Sequence, residues 1–156
     1  VHMVANAEEA AAEAIRLAGG RTILLTVGSK TLDVYVLAAR AAGCPLVARV
    51  LPTSAVITHC EALGLTPREM LAMQGPITAD VEIALIRHYG AAVIVSKESG
   101  DIGGGVEKMR AAEATGIPMV LVRRPTLTYP CAVESIAQML AILGERHGET
   151  QDRVRG

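Results

Sequence analysis

Five times along this chain a short apolar run, mostly of β-branched residues, stops at a loop bearing glycine or proline and gives way to a helical period. That alternation constrains the fold more than any other feature. Consecutive strand–helix units pack as a parallel sheet with helices on both faces and right-handed crossovers. The expectation is an α/β, Rossmann-like three-layer domain with a mainly parallel five-stranded sheet. The five runs are 22–27 (TILLTV), 46–51 (LVARVL), 70–73 (MLAM), 92–95 (AVIV) and 118–122 (PMVLV). The third is the least determined, because four apolar residues do not separate strand from helix. Strand order is not encoded in such a pattern.

The intervening segments carry helix signals. Asn6 with Glu9 has capping-box spacing ahead of an alanine-rich stretch that ends at Gly19-Gly20. Leu32, Tyr35, Val36 and Ala39 recur at helical spacing before Gly43 and Pro45. Thr53 or Ser54 caps a third helix, with Val56, Cys60 and Leu63 on one face and Gly64 after it. Thr66 and Glu69 have the spacing of a short capped turn. Thr78 and Asp80 open a helix to about Tyr89, and two more are expected over 106–115 and 130–143. Residues 1–3 read as an expression scar, 4–144 as one α/β domain, and 145–156 as a polar tail that frays.

Composition narrows the chemistry. Of 156 residues 51% are hydrophobic, yet there is no Phe or Trp and only three Tyr, so aliphatic side chains must fill the core. A net charge of −1 and the scarcity of aromatics argue against a nucleic-acid partner. No run approaches the roughly 20 apolar residues of a membrane span. Cys44, Cys60 and Cys131 lack the spacing of a metal framework and are odd in number for disulfides, which fits small buried thiols in a reducing cytoplasm. No metal site is expected. Met70, Met73, Met109, Met119 and Met139 are read as core residues, and His59 and His88 as structural.

In a fold of this kind, all loops leaving the C-terminal ends of the strands share one edge, where ligands bind. That edge carries Gly28-Ser29-Lys30, then Arg49 with Pro52, then Gln74-Gly75-Pro76, then Lys97 to Gly105, then Arg123-Arg124-Pro125. The fourth loop is the densest, with Ser99, Gly100, Asp101, Gly103 and Gly104 ahead of a helix. Glycines let a ligand approach the backbone, and helix N-termini attract anions. The set reads as an anion site. The helix-to-strand turns on the opposite edge are plain glycine and proline stops.

LTVGSK (25–30), RVLP (49–52), AMQGP (72–76), VSKESG (95–100) and GIPMVLVRRP (116–125) occur in order. Together they resemble the C-terminal half of the precorrin-6A reductase family of cobalamin biosynthesis, over residues 4–144. The resemblance implies NADPH as cofactor and precorrin-6A, a polycarboxylate tetrapyrrole, as substrate. It also implies a missing N-terminal α/β half with a Gly-Gly-Thr phosphate loop as partner. On that basis Lys30, Arg49, Lys97, Arg123 and Arg124 pair with substrate carboxylates or the 2′-phosphate of NADPH. No acidic residue ends the second strand, where NAD enzymes hold the ribose, which leans to NADP. Lys97, Asp101 and a bound water are candidates for proton delivery, with Asp101 equally suited to stabilising a turn. Ser29 and Ser99 either bond ligand oxygens or cap the helices behind them, and Gln74 either reads a cofactor amide or holds its loop. Two alternatives stay open. One is a non-catalytic α/β domain that binds an anionic effector or a partner domain. The other is part of another two-domain tetrapyrrole enzyme, such as one resembling uroporphyrinogen synthase.

Overall fold

The computed structural model describes residues 1–98, 104–124, 136 and 138–140. The chain divides into two units, Val1–Pro125 and Thr126–Gly156. In the second, Ile136 and residues 138–140 are helical. The rest of the helix expected over 130–143, the 145–156 tail and Cys131 lie outside the described residues.

In the first unit β1 (His2–Val4), β2 (Thr22–Thr26), β3 (Leu46–Val50), β4 (Met70–Ala72), β5 (Ala91–Lys97) and β6 (Met119–Val122) form one sheet. Their order is β1-β6-β5-β2-β3-β4, and every pairing is parallel. Among the described residues the expected five strands are therefore six. The additional strand comes from the segment read as a scar, with Met3 in register with Leu121. Three residues are too few for periodicity to reveal; the open edge of β6 recruits them by backbone pairing.

Five helices connect the strands: α1 (Ala7–Ala18), α2 (Leu32–Ala41), α3 (Ser54–Ala62), α4 (Ala79–His88) and α5 (Gly105–Thr115). Their start signals act in two cases as the sequence suggests. The Asn6 side chain accepts from the Glu9 N–H at 2.8 Å while Glu9 accepts from the Ala5 N–H at 2.9 Å. Thr53 accepts from the Val56 N–H at 3.4 Å. Thr78 occupies the cap position of α4 but makes no side-chain cap bond.

The direction of travel decides which face each helix covers. The chain steps from β2 to β3 to β4, then returns to the far side of β2 for β5 and β6. Right-handed crossovers in opposite directions lie on opposite faces. Thus α1, α2 and α3 pack with Ile23, Leu25, Leu46, Ala48, Val93 and Val95, while α4 and α5 pack with Leu24, Val47, Ile94 and Met119. Both faces are covered, so the strands read as continuous apolar runs.

The methionine expectation is corrected in two places. Met119 is buried, but Met109 and Met139 are exposed, Met109 because Lys108, Ala111 and Ala112 take the inward stripe of α5. Cys44 and Cys60 are buried free thiols, and burial raises both thiol pKa values. Among the described residues no helix is long and apolar enough to cross a membrane, and no three metal-ligating side chains converge.

Candidate functional site

Parallel pairing puts all the strand-end loops on one edge, and the reversal of winding falls between β2 and β5, where Thr26 is in register with Ser96. The helices that follow these two strands lie on opposite faces, and in this architecture such a switch point is where the ligand crevice lies. The loop after β2 begins at Gly28, whose φ of +78° is natural to glycine; a Cβ there would meet nothing within 4 Å. Ser29 accepts from the Leu32 N–H at 3.3 Å through its carbonyl, and Thr31 takes the cap position of α2. Ser29 therefore opens the helix with its backbone, and the side-chain cap considered for it is not formed. Lys30 is exposed.

Across the crevice, Lys97 ends β5, half-buried and in register with Val122. Glu98 follows, a carboxylate that the cationic reading of this edge left out. Its N–H donates to the Val122 carbonyl at 2.8 Å, and its Oε2 accepts from the Arg124 N–H at 2.9 Å. Arg123 and Arg124 are exposed, and the Arg123 N–H donates to the Val4 carbonyl at 2.9 Å. Ser99, Gly100, Asp101 and Gly103 lie outside the described residues.

Beyond β2 the edge closes up. Gly104 is buried at the cap of α5 with φ +68°, and a Cβ on it would lie 3.2 Å from the Pro76 Cβ. The turn Gln74-Gly75-Pro76, exposed and with a cis Gly75–Pro76 peptide, thus rests on the N-terminus of α5.

Beneath that contact lies a feature absent from the sequence reading. Strand alternation puts Arg49 on the same face as Val47, toward α4 and α5. Its Nη1 donates to Glu82 Oε1 of α4 at 2.5 Å, with side chains 8% and 1% exposed. Arg49 Nη2 is 3.9 Å from where a Gly75 Cβ would stand. Glu82 Oε2 is buried with no hydrogen-bond partner among the described residues. Lys108 of α5 is buried beside them. Burial lowers its pKa most, the charge of Arg49 adds to that, and Glu82 and Glu107 oppose it. Buried Ser96 and half-buried Thr26, which donates to the Val95 carbonyl at 2.9 Å, extend the polar row across the same sheet face.

Arg49 was expected to meet a ligand; the structure gives it a carboxylate of its own chain. Glu82 and Lys108 were missed, although a signal existed. Each stands on the inward stripe of its helix, with Ile86 four positions after Glu82 and Ala112 four positions after Lys108. A charge on such a stripe needs a partner.

Known proteins share this framework. A cobalt-precorrin-6A reductase of Priestia megaterium is 36% identical over 142 residues, covering 90% of this chain and 55% of that protein. A cobalt-precorrin-6A reductase of Salmonella typhimurium is 41% identical over 107 residues, covering 69% of this chain and 40% of that protein. The solved structure of a CobK precorrin-6A reductase superposes with a TM-score of 0.64 at 18% identity, over 92% of this chain and 54% of that one, and shows the same fold. The chain spans about half the length of these relatives. With the model of "Precorrin-6x reductase CbiJ/CobK" matching residues 1–144, the chain belongs to that reductase family.

Proposed function

We propose that this chain supplies the C-terminal domain of an NADPH-dependent reductase that converts precorrin-6A to precorrin-6B. The observation that carries this reading is the switch point between β2 and β5, on a chain of the precorrin-6x reductase family. The residues suit a nicotinamide dinucleotide. Gly28 lets backbone approach a phosphate, and the N-terminus of α5 at Gly104 favours an anion. When bound, NADPH supplies the hydride for the ring.

The chain's own part is positioning and charge. Lys30, Arg123 and Arg124 are exposed cations for the 2′-phosphate or the carboxylates of the macrocycle. Gln74 reads an amide or steadies its turn. Lys97 at the crevice mouth, or Asp101 four positions later in the sequence, holds the proton that accompanies the hydride. An N-terminal α/β half completes the cleft and excludes water. Unbridged buried thiols and nicotinamide chemistry support a cytoplasmic setting.

The test is a titration of the chain, alone and with the N-terminal half of a family member supplied, against NADPH and NADH. Tighter binding of NADPH and turnover of precorrin-6A with both halves present are expected. No NADPH binding even with both halves would sink the proposal and leave the non-catalytic effector domain as the better reading.

A further inference from the structure

We propose that Glu82, acting through Arg49, is a positioning residue that sets the spacing between the Gln74–Pro76 turn and the Gly104 cap of α5. The consequence for a ligand rests on the function proposed above; the mechanical part does not.

Four observations meet at one point. Arg49 reaches from β3 to α4, where Glu82 is almost fully buried. The same guanidinium lies under Gly75, with Nη2 3.9 Å from the position of an added Cβ. Pro76, next in the chain, touches Gly104 at the start of α5. Lys108 follows one turn later, its N–H donating to the Gly104 carbonyl at 3.3 Å, and its side chain is buried in the field of Arg49 and Glu82. Glu82 thus bonds Arg49 of β3 and, with Glu107, acts on Lys108 of α5. One cation underlies the turn and the other belongs to the helix against which that turn rests. In a site with little water such charges act strongly on each other. Remove the carboxylate charge and Arg49 loses the partner that holds its guanidinium under Gly75, so the turn is no longer braced against the helix cap. Both pieces border the edge where a ligand binds, so a shift of either changes how the ligand is held.

The experiment uses the 156-residue chain and two variants. Glu82→Gln removes the charge. Arg49→Met/Glu82→Leu removes the pair together, a replacement that buried ion pairs commonly tolerate in stability, so it remains measurable if the single variant unfolds. Amide hydrogen exchange is read at Gly75, at Gly104 to Lys108, and at the central strand β5 as reference. NADPH affinity is read with the N-terminal half supplied. The expected result is faster exchange at Gly75 and at 104–108 together, relative to β5, in both variants. NADPH dissociation constants should rise about tenfold. Equal acceleration of all three regions would show a purely structural pair. So would return of the double variant to wild-type exchange at the turn and cap. Loosening of both walls with unchanged NADPH affinity would overturn the link to the ligand. If the wild-type chain binds no NADPH, the functional reading fails, and the exchange pattern still decides the positioning role.

Discussion

Arg49 on β3 and Glu82 on α4, 33 positions apart in sequence, meet at 2.5 Å with both side chains almost wholly buried. A buried pair broken from one side leaves an uncompensated charge, which costs about 3–5 kcal/mol, whereas an apolar replacement of both partners is often neutral. Glu82→Ala is therefore expected to lower unfolding free energy by that amount in urea titration. A loss below about 1 kcal/mol would mean that water already reaches the pair.

Gly104 and Gly28 form a matched comparison. Both have positive φ, +68° and +78°, but a Cβ on Gly104 would press on Pro76 while one on Gly28 would meet nothing within 4 Å. Alanine at Gly28 should cost about 1–2 kcal/mol, the left-handed backbone term alone. Alanine at Gly104 should cost more, and Gly104→Val should also abolish NADPH binding. Equal losses for the two alanine variants in thermal unfolding would remove the Pro76 contact from the account.

Lys97 ends β5 half-buried at the mouth of the crevice. Replacing it with alanine should leave the melting temperature nearly unchanged and weaken NADPH or precorrin-6A binding about tenfold, the loss of one or two charge-assisted hydrogen bonds. A fall of several degrees in melting temperature with unaltered affinity would assign it to the fold instead.

Acid should loosen the join between α2 and the turn before β4. Glu69 Oε1 lies 2.6 Å from Arg40 Nη1, and its Oε2 accepts from the Thr66 N–H and hydroxyl at 2.9 Å. The bond from Arg40 does most to hold the carboxyl down to about 2, against partial burial that would raise it. A depressed carboxylate contributes its stability above its unfolded pKa, here 4.5, and loses it as pH falls from there toward 2. The pair is partly exposed, so Glu69→Gln should cost about 1 kcal/mol at pH 7. The gap between wild type and variant should close by pH 2 in denaturant titrations, and a gap independent of pH would refute this assignment.

Much of the framework was legible because it is local. Continuous apolar runs marked β2, β3, β5 and β6, and the inward stripe Leu32, Tyr35, Val36 and Ala39 marked α2. Glycine and proline stops marked the ends. That the loops at Gly28 and Lys97 share one edge with the other strand-end loops followed from a parallel sheet, since parallel strands send all their C-terminal ends to one edge. The three residues of β1 were not legible, because the β6 edge they pair with is distant in sequence. Glu98 was overlooked beside Lys97, although it sat in plain view.

Residue order thus settled which segments became strands and helices and which edge bears the loops, since hydrophobic period and turn chemistry act over a few neighbours. Only the folded chain decided the strand order, the reversal between β2 and β5, and the fate of Arg49. In sequence Arg49 is a cation at a strand end, open to any anion. Once α4 crosses back over the opposite face it brings Glu82 to the guanidinium. The physical reason is that a buried charge takes whichever partner the packing delivers, and packing is set by contacts between residues far apart in the chain.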